Sequence, residues 1–291
     1  EYHEFFFCFI RQIRNIRDKN FCEPRKSSYH STRCSVLLLN RRDRGERQEV
    51  FLISLRARRY VILISVELDP ELEDVLRQLF EACDEFQITP RLIGGLAVRG
   101  HTRRKRYTHD IDLSIDREDK PNLIAILKSM GFEYRDQTSF GGVKAWQQIG
   151  KVPVEVHISV DKLWDMRSER HYVLSPVIVK VTVDEQGEIL TLAAPVEDLL
   201  ILKLLPLRNQ DLADVIALLL DNPELDVNAF WENCQRTGNT DHILRRLGEV
   251  EQTLKDGTFR RAWRDYYPED ISPLETLVVT RAVESLKKAK L

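Results

Sequence analysis

The sequence predicts an α/β (α+β) protein in which a small domain with a mixed sheet precedes a helical half. Two stretches, "DIDLSID" at residues 110–116 and "VPVEVHI" at residues 152–158, alternate polar and apolar side chains as half-buried strands do. From Pro195 onward the apolar residues recur with a helical period instead. We therefore expect a sheet domain over residues 66–194 and a helical half over residues 195–291.

The individual elements follow from local signals in the same order. "DPELEDVLRQLFEACDEF" predicts a helix that Asp69 caps, with Pro70 in the first turn. "RLIGG" predicts a short strand that ends in a glycine turn, and "LAVRGH" begins the next helix. A helix over residues 117–130 is closed by Gly131. The later strands are predicted in "FEYR", "VKAWQQI", "VPVEVHI" and a hairpin turning at residues 184–188, and the helices at roughly 196–205, 209–221, 226–236, 240–255 and 272–289.

Residues 1–65 differ from the rest of the chain. They hold 14 Lys and Arg against 7 Asp and Glu, and their apolar clusters follow neither a helical nor a strand period. The two methionines, Met130 and Met166, come too late to start the sheet domain. We expect this segment to be a non-native or disordered basic extension, with the true start near Val66. The open alternative is a genuine basic arm that contacts a partner.

The composition excludes several classes of protein. A net charge of -2 does not suit a protein that coats nucleic acid by bulk electrostatics. The five cysteines are widely spaced and form no CxxC pair, which argues against a zinc site or a disulfide framework and favours a reducing cytoplasm. No apolar run approaches the roughly 18 residues that a membrane span needs.

Three carboxylates are candidate metal ligands. Asp110 and Asp112 lie two residues apart on a predicted strand, so both point to the same side, away from the core. Two like charges that close are unfavourable unless a cation neutralises them, and Mg²⁺ does this while keeping sites for phosphate and water. If "VPVEVHI" pairs beside this strand, Glu155 joins the same face and a two-metal site becomes plausible. The alternative is a solvated polar face.

Gly94 and Gly95 are candidate phosphate ligands. A glycine pair between a strand and a helix allows close backbone approach, and the N-terminus of the helix favours an anion. The alternative is an ordinary tight turn.

Together these pieces resemble the nucleotidyltransferase superfamily, whose fold DNA polymerase beta and kanamycin nucleotidyltransferase share. The resemblance covers roughly residues 88–160 and is nearest to the AbiEii-like bacterial nucleotidyltransferases, many of them linked to toxin–antitoxin modules. The matching residues, in chain order, are Gly94, Gly95, Ala97, His101, Arg106, Thr108, Asp110 and Asp112.

The resemblance implies an enzyme that moves a nucleoside monophosphate from an NTP to an acceptor hydroxyl and releases pyrophosphate. It implies two Mg²⁺ ions held by Asp110, Asp112 and Glu155 as the catalytic residues. The implied nucleotide-binding residues are Gly94, Gly95, Arg106, Thr108 and Lys203. The acceptor stays open between a tRNA end, a protein and an antibiotic, and an antitoxin partner is part of the same expectation.

The helical half adds "EDLLILKLLPLRNQDLADV", which resembles a segment of the same families. Lys203 lies on a predicted buried face there and needs an anionic partner, either phosphate or a carboxylate such as Asp211 or Asp214. Arg208, in the following turn, is either a phosphate ligand or solvated. Asn209 is expected to cap the next helix.

Other conspicuous residues receive structural interpretations. We expect His101 to be structural, leave His109 and His157 unassigned, and expect the four tryptophans to be core or domain-contact residues. The basic run at residues 103–105 is either a solvated loop or a contact to an acceptor RNA. A non-catalytic binding protein on the same fold stays open as the alternative. A glycosyltransferase with a DxD motif lacks support, because the glycine turn comes too close upstream and the helical half does not fit.

Overall fold

The computed structural model describes residues 67–137, 142–184, 187 and 189–290. The predicted N-terminal extension, residues 1–65, lies outside this part of the chain. The strands are β1 (Arg91–Ile93), β2 (Asp110–Ile115), β3 (Glu133–Gln137), β4 (Gly142–Ile149), β5 (Val152–Val160), β6 (Leu163–Asp165), β7 (Arg170–Tyr172), β8 (Val179–Thr182) and β9 (Leu190–Ala193). The helices are α1 (Pro70–Glu85), α2 (Gly94–His101), α3 (Lys120–Ser129), α4 (Val196–Leu204), α5 (Asn209–Asp221), α6 (Val227–Arg236), α7 (Thr240–Asp256), α8 (Phe259–Tyr266) and α9 (Pro273–Lys290).

The larger sheet is mixed, as the sequence predicts. Its strands lie in the order β3-β4-β5-β2-β1-β9-β8, and β6 pairs with β7 in a separate hairpin. The central strand β2 runs antiparallel to β1 and parallel to β5. One face of β2 is fully buried, through Ile111 and Leu113, so its polar face is the one left open. The prediction of a mixed-sheet domain followed by helices is confirmed.

The sheet and the helices share one continuous apolar core. The change from strands to helices falls between β9 and α4, and buried residues from β2, α4 and α5 belong to the same cluster. The sheet half and the helical half are therefore held together by burial as well as by the ion pairs described next.

No helix in the described residues is long and apolar enough to cross a membrane.

The two halves are also joined by a buried ionic network around Asp214. This carboxylate is fully buried in α5 and accepts hydrogen bonds from Nε of Arg106 (2.6 Å) and Nη2 of Arg106 (2.9 Å). Nζ of Lys203 lies 2.8 Å from Oδ2 of Asp214, the oxygen that Nη2 of Arg106 also contacts. Burial alone would raise the pKa of Asp214, but the two cations hold that pKa below its usual range. The network fixes the loop before β2 to the helical half.

The basic run at residues 103–105 makes contacts in the same region, where the sheet half meets the helical half. Arg104 bonds Glu269 and Glu275 at 2.9 and 2.7 Å, next to α8 and α9. Nζ of Lys105 donates to two carbonyl oxygens at the end of α2 and just after it. The amide of Arg103 donates to Asp221 of α5. Arg104 and the backbone of Arg103 therefore attach the sheet half to the helices, whereas the side chain of Arg103 is exposed.

Several local expectations need correction. Asp69 precedes α1 as expected, but its carboxylate accepts a hydrogen bond from the Tyr107 hydroxyl instead of capping the helix. Helix α5 is capped by Arg208 and Asp211, not by Asn209. The sequence reading also missed α8, half of whose eight residues are charged, and the β6–β7 hairpin, whose strands are too short to show a period.

The Asp214 network generates a stability prediction. We expect Asp214→Ala to lower the free energy of unfolding by about 3–5 kcal/mol, because it leaves two buried cations without their shared partner. The measurement is urea denaturation followed by circular dichroism. Arg117→Ala is the matched control, since the Arg117–Asp161 pair is largely exposed and should contribute about 0–1 kcal/mol. Equal losses in the two variants would contradict the importance of the network.

A second prediction concerns the buried thiols. Burial raises the pKa of both Cys83 and Cys234 to about 12, so thiolate is scarce at pH 8. We expect iodoacetamide at pH 8 to leave both cysteines unmodified in the folded protein and to modify both in denaturant. Peptide mass spectrometry measures each site separately. Fast modification of either thiol without denaturant would show that its side chain is accessible.

Candidate functional site

The polar face of the central strands gathers the three predicted carboxylates. Strands β2 and β5 pair in parallel, with Asp110 opposite Glu155 and Asp112 opposite His157. Side chains in register on neighbouring strands point to the same side of a sheet. The pairing of β2 with β5 therefore confirms that Glu155 lies on the same face as Asp110 and Asp112.

Asp110 and Asp112 keep oxygens available for a cation. Oδ1 of Asp110 is buried and makes no hydrogen bond within the described residues, although Nε2 of His109 lies 3.3 Å away. Oδ1 of Asp112 faces Nδ1 of His157 at 3.2 Å. A buried carboxylate oxygen without a partner is costly, so this pair suits a positively charged ligand.

Glu155 differs from the two aspartates because it already has cationic neighbours. Nζ of Lys144, on the adjacent strand β4, donates to Oε2 of Glu155 at 2.6 Å. Nε2 of His157 lies 3.4 Å from the same oxygen. The bond from Lys144 lowers the pKa of Glu155, and the bond to Asp112 raises the pKa of His157. Acidic and basic side chains thus alternate along this face, in the order Asp112, His157, Glu155 and Lys144.

No group of three or more His, Cys, Asp or Glu residues within the described part of the chain is arranged to hold a metal ion together. Asp110 and Asp112 form the pair that is open to a cation, whereas Glu155 is engaged by Lys144. The assignment of all three carboxylates as ligands of two ions stays a prediction.

The glycine turn lies directly against the carboxylates. Gly94 has φ +70°, and a Cβ atom at this position would come within 1.9 Å of Oδ2 of Asp112. Gly95 begins the first turn of α2, where a Cβ atom would come within 2.6 Å of Oγ1 of Thr108. Both positions need glycine, the first for conformation and space and the second for space. The turn therefore places backbone that carries no side chain directly beside the carboxylate of Asp112.

Arg106 and Thr108 lie beneath this turn rather than in front of it. Arg106 is 3% exposed, and its guanidinium is bound to Asp214. Thr108 is also buried, packed under Gly95. Burial alone would lower the pKa of Arg106, but Asp214 raises it, so the side chain stays charged and paired. As placed, these residues support the turn, and the expectation that Arg106 contacts phosphate directly does not fit this position.

Lys203 and Arg208 behave differently from each other. Lys203 is buried and bound to Asp214, with Asp211 at 3.5 Å, so the predicted carboxylate partners are the observed ones. Arg208 bonds Asp211 at 2.7 Å, but its side chain is 62% exposed. The bond to Asp211 raises the pKa of Arg208, and the charges of Asp165 and Asp112 add to this. Arg208 is therefore a cation that faces the carboxylates across open space.

These groups border one cleft between the sheet half and the helical half. The cleft has a volume of about 270 Å³. Its sheet side includes Gly94 and Asp112, its helical side includes Pro206 and Arg208, and Trp164 of β6 is also part of the lining. The glycine turn, a candidate metal ligand and an exposed cation thus face the same space.

The histidine and tryptophan expectations have separate outcomes. His101 is structural as expected, because Nε2 contacts the carbonyl oxygen of Ala194 at 2.9 Å and burial lowers its pKa. Trp231 and Trp263 are buried. Trp164, however, is 44% exposed and lines the cleft, so its interpretation as a core or domain-contact residue is wrong.

Sequence reasoning missed Lys144 and Trp164 as site residues. Lys144 alternates with apolar neighbours in "VKAWQQI", which indicates its face but not the strand it pairs with. Trp164 lies in a three-residue strand whose pairing has no sequence signal. Both omissions have the same cause, since register decides which side chains meet.

Several solved structures are similar to this chain at low sequence identity. JHP933 from Helicobacter pylori is 15% identical, covers 76% of this chain and 94% of its own, and has a TM-score of 0.46. A putative nucleotidyltransferase from H. pylori is 14% identical, with 75% and 94% covered and a TM-score of 0.44. An antigenic nucleotidyltransferase-like protein from Paracoccidioides brasiliensis is 17% identical, with 68% and 94% covered and a TM-score of 0.43.

The chain is similar to nucleotidyltransferases. The sequence matches no protein-family model, and no curated protein matches it. At 14–17% identity the likeness is distant, so the chemistry of this chain has to be argued from its own residues.

The glycine turn generates a prediction that distinguishes the steric cost of a Cβ atom from the cost of a positive φ angle. We expect Gly94→Ala to lower the midpoint of thermal unfolding more than Gly257→Ala does. Both residues have positive φ, but a Cβ atom at Gly257 meets nothing within 4 Å, whereas at Gly94 it meets the Asp112 carboxylate. Differential scanning fluorimetry measures both variants. Equal shifts would mean that Asp112 moves aside without cost.

Proposed function

We propose that this chain is a Mg²⁺-dependent nucleotidyltransferase that moves a nucleoside monophosphate from an NTP to an acceptor hydroxyl. The observation that carries the proposal is the contact between Gly94 and Asp112. It brings a glycine turn at the start of a helix against a carboxylate pair that has an unpaired oxygen. A triphosphate needs backbone N–H groups close to its oxygens and a cation that neutralises its negative charge.

Asp110 and Asp112 fit a divalent ion. Mg²⁺ is commonly held by one or two carboxylates together with substrate phosphates, and the buried Oδ1 of Asp110 has no hydrogen-bond partner in the described residues. When bound, Mg²⁺ would neutralise charge on the reacting phosphoryl group and would favour loss of the proton from the acceptor hydroxyl. The proposal retains Glu155 as the third carboxylate of the site, on the acceptor side.

The remaining roles belong to groups of the chain itself. The backbone of Gly94 and Gly95 would receive the triphosphate at the N-terminus of α2. Arg208 would approach it from the helical side, because it is the exposed cation facing Asp112 across the cleft. These groups orient the nucleotide and offset its charge before the reaction starts, which is where most catalysis of phosphoryl transfer originates.

The transfer itself forms one bond and breaks one. The acceptor oxygen bonds to the α-phosphorus, the bond from that phosphorus to the oxygen bridging to the β-phosphate breaks, and pyrophosphate leaves. The proton of the acceptor hydroxyl passes to a carboxylate of the site, for which Glu155 is our candidate because it pairs beside Asp110 on the neighbouring strand.

Arg106, Thr108 and Lys203 are retained as nucleotide-site residues in an indirect sense. Arg106 and Lys203 bind the same carboxylate, Asp214, and Arg106 packs under Gly95. Thr108 packs there as well. They would position the glycine turn and the loop before β2, whereas Arg208 provides the direct contact to phosphate.

We place the acceptor on tRNA or on a protein, with a toxin–antitoxin module as the biological setting and an antitoxin as partner. The resemblance to AbiEii-like proteins motivates this setting, and the buried thiols of Cys83 and Cys234 suit a reducing cytoplasm. Incubation with α-labelled NTP and, separately, total RNA, total protein or an aminoglycoside would identify the acceptor class.

The carboxylate pair gives the decisive experiment. We expect Asp110→Ala/Asp112→Ala to transfer label from α-labelled NTP at less than about one-hundredth of the wild-type rate, because the charge-neutralising group is lost. Asp116→Ala is the matched control, since this carboxylate is 78% exposed at the end of the same strand.

Unimpaired transfer by the double variant would refute the metal assignment. Wild-type protein that binds NTP with Mg²⁺ but transfers no label to RNA, protein or drug would favour the non-catalytic binding protein. Hydrolysis or transfer of a sugar nucleotide would favour the glycosyltransferase.

A further inference from the structure

Trp164 is the exposed aromatic residue of the cleft. It lies on β6, in the hairpin that β6 forms with β7, and 44% of its surface is accessible. A single exposed aromatic side chain is ordinary on a protein surface, so the place of Trp164 matters more than its exposure. It lines the same cleft as Gly94, which makes the contents of the cleft its natural ligand.

The lining of the cleft includes both charged and apolar side chains. Asp112, Lys203 and Arg208 are among its charged residues, and Trp164, Leu205 and Pro206 are among its apolar residues. A nucleoside triphosphate suits such a lining, because it combines charged phosphates with a flat base.

Few side chains of the lining are free to read the edges of a base. Asp165 accepts hydrogen bonds from the backbone and the hydroxyl of Ser168, and Asp211 is engaged by Lys203 and Arg208. Among the described lining residues, Ser159 is the one with an uncharged hydroxyl or amide side chain. Recognition of a base by this lining would therefore depend on surface contact more than on hydrogen bonds.

We propose that Trp164 is the stacking platform for the base of the NTP, and that the site consequently accepts purine and pyrimidine triphosphates alike. The proposal rests on the proposed function, because it assigns the base end of the nucleotide whose phosphates lie at Gly94 and Gly95. Stacking on an aromatic ring is available to every base, since each has a π face, and it gives affinity with little sequence preference.

The test compares ligands with and without a base. Binding of the Mg²⁺ complexes of inorganic tripolyphosphate and of α,β-methylene analogues of ATP, GTP, CTP and UTP is measured by calorimetry. We expect Trp164→Ala to weaken all four nucleotides by roughly tenfold and to leave tripolyphosphate unchanged. Trp164→Phe should retain most of the affinity. We expect nucleotides to quench tryptophan fluorescence in the wild type and to leave it nearly unchanged in Trp164→Phe.

The matched control is Phe86→Ala, which removes an exposed aromatic residue that follows α1 and does not line the cleft. Nucleotide affinity that is unchanged in Trp164→Ala would overturn the stacking assignment and leave the proposed function standing. Equal weakening of nucleotides and tripolyphosphate would overturn it as well, because it would show a general structural defect. Failure of the wild type to bind any nucleotide would instead refute the proposed function.

Discussion

The sharing of one buried carboxylate by two cations is the constraint on which the rest of the site depends. Asp214 is inaccessible to solvent and receives Arg106 from the loop before β2, Lys203 from α4, and the hydroxyl of Tyr267 at 3.3 Å. None of these charges could be buried alone, because the loss of hydration would exceed any gain from packing. Their common partner therefore dictates where the loop, α4 and α5 meet, and the positions of Gly95 and Asp110 follow from it.

This arrangement explains how one short stretch can be rich in both signs of charge without conflict. Arg104 and Arg106 turn toward the helices and are neutralised there by Glu269, Glu275 and Asp214. Asp110 and Asp112 lie on the polar face of β2. The stretch thus divides between a structural junction and the candidate site. The cations that line the cleft, Lys203 and Arg208, come from the helical side.

Periodicity predicts most of the elements, α8 and the β6–β7 hairpin excepted, but not the contacts between them. It assigns the faces of β2 and β5, because a period of two places every side chain on one side of the strand, and so it identifies the carboxylates. The sequence predicts Arg106 as a phosphate ligand because its partner, Asp214, lies 108 residues further along the chain. Lys144 and Trp164 were missed because their neighbours depend on strand register and on a hairpin without a signal. The sequence thus reveals the type of chemistry better than it reveals which charges compensate one another.

The order of strands in the sheet has a consequence for biosynthesis. Strand β1, which carries the glycine turn at its end, pairs on one side with β2 and on the other with β9, about one hundred residues later in the chain. Asp214 comes later still. Because long-range pairings form only after the distant segment exists, a chain emerging from the ribosome cannot complete the face until most of the helical half has been made. An unfinished chain that ends before α5 would lack Asp214 and with it the network that positions the candidate site.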